Sequence, residues 1–105
     1  MRFAAALVLL ASTVAGCGGV GIGNTDGLSG EELIDRVCSR CHGSNLGGGI
    51  GPALGPGSNA ASNLTDGQIA GVLDVGPGAM PSFKQLTDEQ VASVIASLRQ
   101  LQIDG

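Results

Sequence analysis

The sequence has no Trp and no Tyr, and its only aromatic residues are Phe3 and Phe83. A core built on stacked or interlocking rings is therefore excluded. Basic residues are scarce as well: Lys and Arg number 5 against 9 Asp and Glu, a net charge of −4. That balance excludes a nucleic-acid partner, because phosphate binding needs clustered cations and base stacking needs rings. There is a single His. The three Cys are an odd number, so a framework of disulfides alone does not close. What the chain has in excess is glycine, 19 of 105 residues. Something other than packed aromatic side chains must fill the centre of this one small domain.

Long apolar runs are also missing. The longest, Phe3 to Ala11, is too short for a bilayer, which takes about 20 apolar residues. It follows Arg2 and thins into the small residues Ser12 to Gly16, the layout of an export signal. Twelve of the first 16 residues are apolar, against 33 of the other 89. Val14-Ala15-Gly16-Cys17 resembles the lipobox of bacterial lipoproteins. The resemblance implies cleavage after residue 16 and lipidation of Cys17, which accounts for the odd thiol. Several acyl chains anchor a protein stably where one does not. Gly18 after the Cys resembles the outer-membrane sorting pattern. The expectation is a removed signal at 1–16, a flexible Gly-rich tether at 17–28, and a folded domain at 29–105.

Three helices are expected, each announced by its cap. Ser29 with Glu32, Thr65 with Gln68, and Thr87 with Gln90 have the spacing of capping boxes. After the first, Leu33, Val37 and Cys41 recur every four residues, as do Ile34 and Cys38, over about 12 residues. Ile69, Val72 and Leu73 supply the buried stripe of the second helix, which Gly76-Pro77 ends. Val91, Val94, Ile95 and Leu98 follow i, i+3, i+4, i+7 in the third, where Arg99 suits the negative end of the helix dipole. Between the first two lies a loop, Gly43 to Asn63, with seven Gly and two Pro. Some twenty structureless residues in a compact domain are unusual, and point to a loop that wraps something other than protein. Its Gly cluster is no phosphate loop: neither a strand before it nor GK[ST] after it is present.

Cys38-Ser39-Arg40-Cys41-His42 is a C-x-x-C-H sequence, the attachment site of c-type haem. Residues three apart on a helix share a face, so both thiols reach the two vinyl groups of one porphyrin. The adjacent His42 is placed to bind the iron. A thioredoxin-like pair would need βαβ signals, and a structural zinc site would need four ligands; the sequence supplies neither. Met80, the only Met besides the initiator, stands in Gly78-Ala79-Met80-Pro81, a rigid turn suited to presenting a thioether to a metal. With one His in the chain, His42 and Met80 are the expected axial pair of an electron-transfer haem.

From Ser29 to Gln102 the chain resembles the small bacterial class I cytochromes c. The resemblance implies an all-α cytochrome c fold, with three main helices and the Gly-rich loop wrapped around one covalent haem c. It places Gly30 and Ile34 of the first helix against Ile95 and Leu98 of the last. Gly51-Pro52-Ala53-Leu54 resembles the segment whose Pro carbonyl accepts a hydrogen bond from the proximal imidazole, so Pro52 is expected to orient His42. The family often has aromatics at the Ile34 and Leu98 positions and near the propionates; here Arg40, Lys84, Arg99 and the N–H groups of the Gly loop are the candidates to neutralise the propionates. The implied function is a one-electron carrier, not an enzyme, with both axial positions filled. It would be exported, lipid-anchored on the periplasmic side, with Gly18 pointing to the outer membrane, and monomeric. Its redox partners would present basic docking patches to this acidic chain. The alternatives are a subunit of a larger oxidase or reductase complex, and a haem peroxidase or gas sensor, against which the lack of a second His argues.

Overall fold

A computed structural model describes residues 22–103. Among them there are helices and no strands, as expected for an all-α fold. The export signal expected at 1–16 and the lipidation site Cys17 lie outside the described residues.

The first helical run is continuous but not uniform. It passes from α1 (Gly30–Leu33) through a π-helical turn (Ile34–Cys38) into α2 (Ser39–His42). Leu33, Ile34, Cys38 and Ser39 all keep right-handed helical angles, so no break separates the pieces. The four-residue spacing in the sequence has its physical reason here. On an α-helix two steps of four residues drift by about 80°. A π-turn, with its i→i+5 bond, advances less per residue and takes up that drift. Leu33, Ile34 and Val37 are thus buried, and Cys38, Cys41 and His42 half-buried along the same side.

α3 (Asp66–Val75) and α4 (Asp88–Ile103) complete the set. All three caps form as reciprocal pairs. Ser29 Oγ accepts from the Glu32 N–H at 3.1 Å and Glu32 Oε1 accepts from the Ser29 N–H at 3.2 Å. Thr65 with Gln68 and Thr87 with Gln90 do the same. Each pair satisfies two of the N–H groups that a helix start leaves orphaned.

α1 packs directly on α4. A Cβ on Gly30 would fall 2.2 Å from the Ser93 carbonyl oxygen, so the two backbones meet where only glycine fits. The Gly30 N–H also donates to Ser93 Oγ at 2.9 Å. Ile34, Ile95 and Leu98 are buried in the same core as Gly30's neighbours Leu33 and Val94. Arg99 does not serve the helix dipole. No basic residue lies in the last turn of α4. Its guanidinium reaches sideways, donating to the carbonyls of Ala61 and Leu64 and to Asp66. It thereby ties the end of the Gly-rich loop and the start of α3 to α4.

One boundary needs correction. The tether expected over 17–28 is packed from Ile22 onward. Ile22 is 5% exposed and belongs to the core, and Thr25 is 2% exposed. Two carboxamides from distant residues hold the segment. Gln85 Nε2 donates to Gly23 O at 2.8 Å and Thr25 Oγ1 at 3.0 Å; Gln90 Nε2 donates to Thr25 O at 2.7 Å and Leu28 O at 3.3 Å. Glycine content suggested a loose coil, but these bonds satisfy the backbone groups that burial would otherwise orphan.

No described helix is long and apolar enough to cross a membrane.

Candidate functional site

Cys38 and Cys41 stand one turn apart on the helix that ends at His42, as the C-x-x-C-H spacing requires. Burial pushes the Cys38 thiol up to about 11. Among the described residues no group of three or more His, Cys, Asp or Glu is arranged to hold a metal ion, which weighs against a structural zinc site with its four ligands.

The C-terminal end of this helix is where the Gly-rich loop does its work. Gly43 ends α2 with φ +90°, and the loop then doubles back over the exposed carbonyls of the last turn. The Gly51 N–H donates to Cys41 O at 2.7 Å and the Gly48 N–H to His42 O at 2.8 Å. Leu46 reverses the chain with φ +53°, rare for a leucine. Two things hold it there: its side chain is buried, and its carbonyl accepts from both Leu54 and Gly55.

This folding-back delivers Pro52 to the imidazole. His42 Nδ1 lies 2.6 Å from the Pro52 carbonyl oxygen. A carbonyl only accepts, so Nδ1 carries the proton and Nε2 keeps its lone pair. That fixes both the tautomer and the ring plane of a nitrogen ligand. Gly51, the residue before, lies flat on the ring: a Cβ there would fall 2.7 Å from Cε1 and 2.9 Å from Nδ1. Sequence reading missed this constraint, because a glycine inside a glycine-rich loop carries no signal of which neighbour it must clear.

Met80 sits in a loop seated on the end of α3. Gly76 caps that helix in the left-handed region with φ +64°, and a Cβ on it would fall 2.6 Å from the backbone of Pro81 and Ser82. Three bonds fix the seat. The Met80 N–H donates to Pro77 O, Ser82 Oγ donates to Asp74 O, and the Phe83 N–H donates to Leu73 O at 2.7 Å.

Cys38, Cys41, His42, Pro52 and Met80 all line one cavity of about 220 Å³. Its remaining wall is almost wholly aliphatic, with Phe83 the one ring. A cavity whose potential ligand side chains among the described residues are two sulfurs on one helix, an oriented imidazole and a thioether fits a flat apolar macrocycle with a metal at its centre. Soft sulfur and imidazole suit iron of this kind. Ser58 Oγ, in the loop between Leu54 and Ala60, is buried with no hydrogen-bond partner among the described residues, but it does not line this cavity. A buried orphan hydroxyl calls for a partner. Of the expected propionate partners, Arg99 already places four N–H···O bonds on the protein, while Arg40 and Lys84 are exposed.

A sequence profile of the family described as cytochrome c oxidase, cbb3-type, subunit III matches residues 25–96, which is 72 of the 105 residues. The match opens at Thr25, inside the packed N-terminal segment, and contains every residue that lines the cavity except Leu98. Over 61 residues the chain is 41% identical to cytochrome c55X of Stutzerimonas stutzeri. That stretch is 57% of this chain and 53% of the relative, so the likeness spans about half of the relative's length. No solved structure matches significantly.

Proposed function

The chain belongs to the c-type cytochrome family that bears the description cytochrome c oxidase, cbb3-type, subunit III, and from that premise we propose that it is a one-electron carrier with His42 and Met80 as axial ligands. Membership implies electron transfer through one covalently bound haem c, and the C-x-x-C-H of Cys38 to His42 fits its attachment. The observation that carries the finer reading is the 2.6 Å bond from His42 Nδ1–H to the Pro52 carbonyl beside a cavity shared with Met80. The bound haem supplies a reversible ferric/ferrous couple. The protein's part is to orient the imidazole, present the thioether and exclude water from the cavity. His42 and Met80 would both hold the iron, which would leave no open site on it for a substrate.

Cys17 is assigned as a lipidated N-terminus that keeps the domain on the periplasmic side of a membrane, and the partners are redox proteins with basic docking patches. The family description favours a second reading, an electron-transfer subunit held in a larger oxidase or reductase.

Expression with a c-type haem maturation system tests the central reading. Haem should resist extraction by acid and organic solvent, and a Met-to-iron charge-transfer band should vanish in Met80→Ala. Extractable haem, or a band that survives the substitution, defeats the assignment. Cys17→Ser should release the protein from membranes. Gentle solubilisation should yield a monomer for a free carrier, and a large co-purifying assembly for a subunit.

A further inference from the structure

We propose that residues 22–28 form a strap that positions the Met80 loop, with Gln85 as the positioning residue joining the two. The inference rests on Met80 being an iron ligand and extends that reading to a segment far from the cavity in sequence.

The loop is held from two sides. On one side it is seated on α3 through Gly76, Leu73 O and Asp74 O. On the other the chain turns at residues 83–86, where the Leu86 N–H donates to Phe83 O at 3.0 Å. Gln85 projects from that turn. Its carboxamide nitrogen donates to two atoms of the strap, Gly23 O and Thr25 Oγ1. Phe83, which opens that turn and accepts from Leu86, is buried and lines the cavity beside Met80 and Pro81. The strap is therefore tied by Gln85 to the turn that directly follows the loop carrying the thioether.

The strap is itself fixed independently of Gln85. Ile22 is sunk in the core, and Thr25 O and Leu28 O accept from Gln90 at the start of α4. Gln90 Oε1 meanwhile completes the helix cap by accepting from the Thr87 N–H at 3.0 Å. A loop whose following turn is tied to an anchored strap is held at that end, so a swing of Met80 that carries the turn with it must break the Gln85 bonds. Releasing the strap removes that resistance without touching either ligand.

The test is a cycle of imidazole titrations on the ferric holoprotein, since imidazole binds by displacing Met80. Gln85→Ala should raise imidazole affinity by about five- to tenfold, the worth of about one net hydrogen bond, and Ile22→Ala, which removes the strap's apolar anchor, should separately raise it in the same direction. Neither should change it by more than about twofold when combined with Met80→Ala, which leaves no thioether to displace. Circular dichroism should show unchanged helix content throughout. Equal effects in both backgrounds, or none in either, overturn the strap's role while leaving Met80 as the ligand. If Met80→Ala alone leaves the charge-transfer band and the imidazole affinity of the parent protein, the ligand assignment fails and the strap's role falls with it.

Discussion

Gly51 lies against the imidazole of His42 so closely that a methyl group on its Cα would stand 2.7 Å from Cε1. The same residue donates its N–H to Cys41 O and precedes the Pro52 carbonyl that holds Nδ1. Gly51→Ala must therefore displace the ring or lift the loop. The expected loss is about 1–3 kcal/mol, the range for overpacking a close contact. A denaturant titration of the holoprotein measures it. Gly47→Ala is the control, because nothing lies within 4 Å of a Cβ there.

Gly30→Ala is expected to separate α1 from α4, since the added carbon falls 2.2 Å from a backbone oxygen that no rotamer change can move. The cost should reach or exceed about 3 kcal/mol. Ser93→Ala, which loses only the bond from the Gly30 N–H, should cost about 1 kcal/mol. Thermal unfolding of the two variants should rank them in that order.

Arg99 and Asp66 form an ion pair at 3.0 Å, yet the two residues should respond unequally to substitution. The Asp66 side chain is 71% exposed, so Asp66→Asn should cost under about 1 kcal/mol. Arg99→Leu also strips the donors from Ala61 O and Leu64 O, and should cost about 2–3 kcal/mol. Arg99→Lys should recover only part of that loss, because an ammonium cannot span the donors of a planar fork. Chemical denaturation of the three variants separates the carbonyl bonds from the ion pair.

The Glu32 carboxylate is held below its ordinary value of 4.5 by the bonds from Ser29, first from its backbone N–H and then from its hydroxyl, with Arg36 adding a smaller share. A lowered native value means the ionised form is favoured by folding. The contribution is therefore present above pH 4.5 and is lost as pH falls through the native value. Glu32→Gln should flatten the acid side of the stability profile while keeping the cap, since Gln68 and Gln90 already serve in that role in α3 and α4. Melting temperatures between pH 6 and 3 check the difference.

What was legible in the sequence is what acts over short distances along the chain. Ser29, Thr65 and Thr87 cap helices with partners three residues away, and those helices form where the pairs stand. The C-x-x-C-H spacing is a property of one helical turn. Pro52 was found through a family resemblance, and its carbonyl meets His42. The illegible parts depend on partners far along the chain. Nothing in Gly23 or Thr25 says that Gln85 and Gln90, some 60 residues on, will bond to them. Arg99 reads as a helix-end cation until Ala61 and Leu64 arrive beside it. Gly30, Gly51 and Gly76 look alike in a chain with 19 glycines, and only the approaching backbone or ring shows why each lacks a side chain.

The loop doubled back over α2 has a consequence for how the protein meets a protease. Irregular, glycine-rich segments are ordinarily the first to be nicked and the fastest to exchange their amide protons. Here Gly48 and Gly51 spend their amides on the carbonyls of His42 and Cys41, and Gly49 spends its own on Gly51 O. Those three protons should exchange as slowly as the helix they cover, while Gly47, between them and the turn at Leu46, exchanges freely. The most pliant composition in the chain thus becomes one of its most durable pieces, and cutting is expected to begin elsewhere.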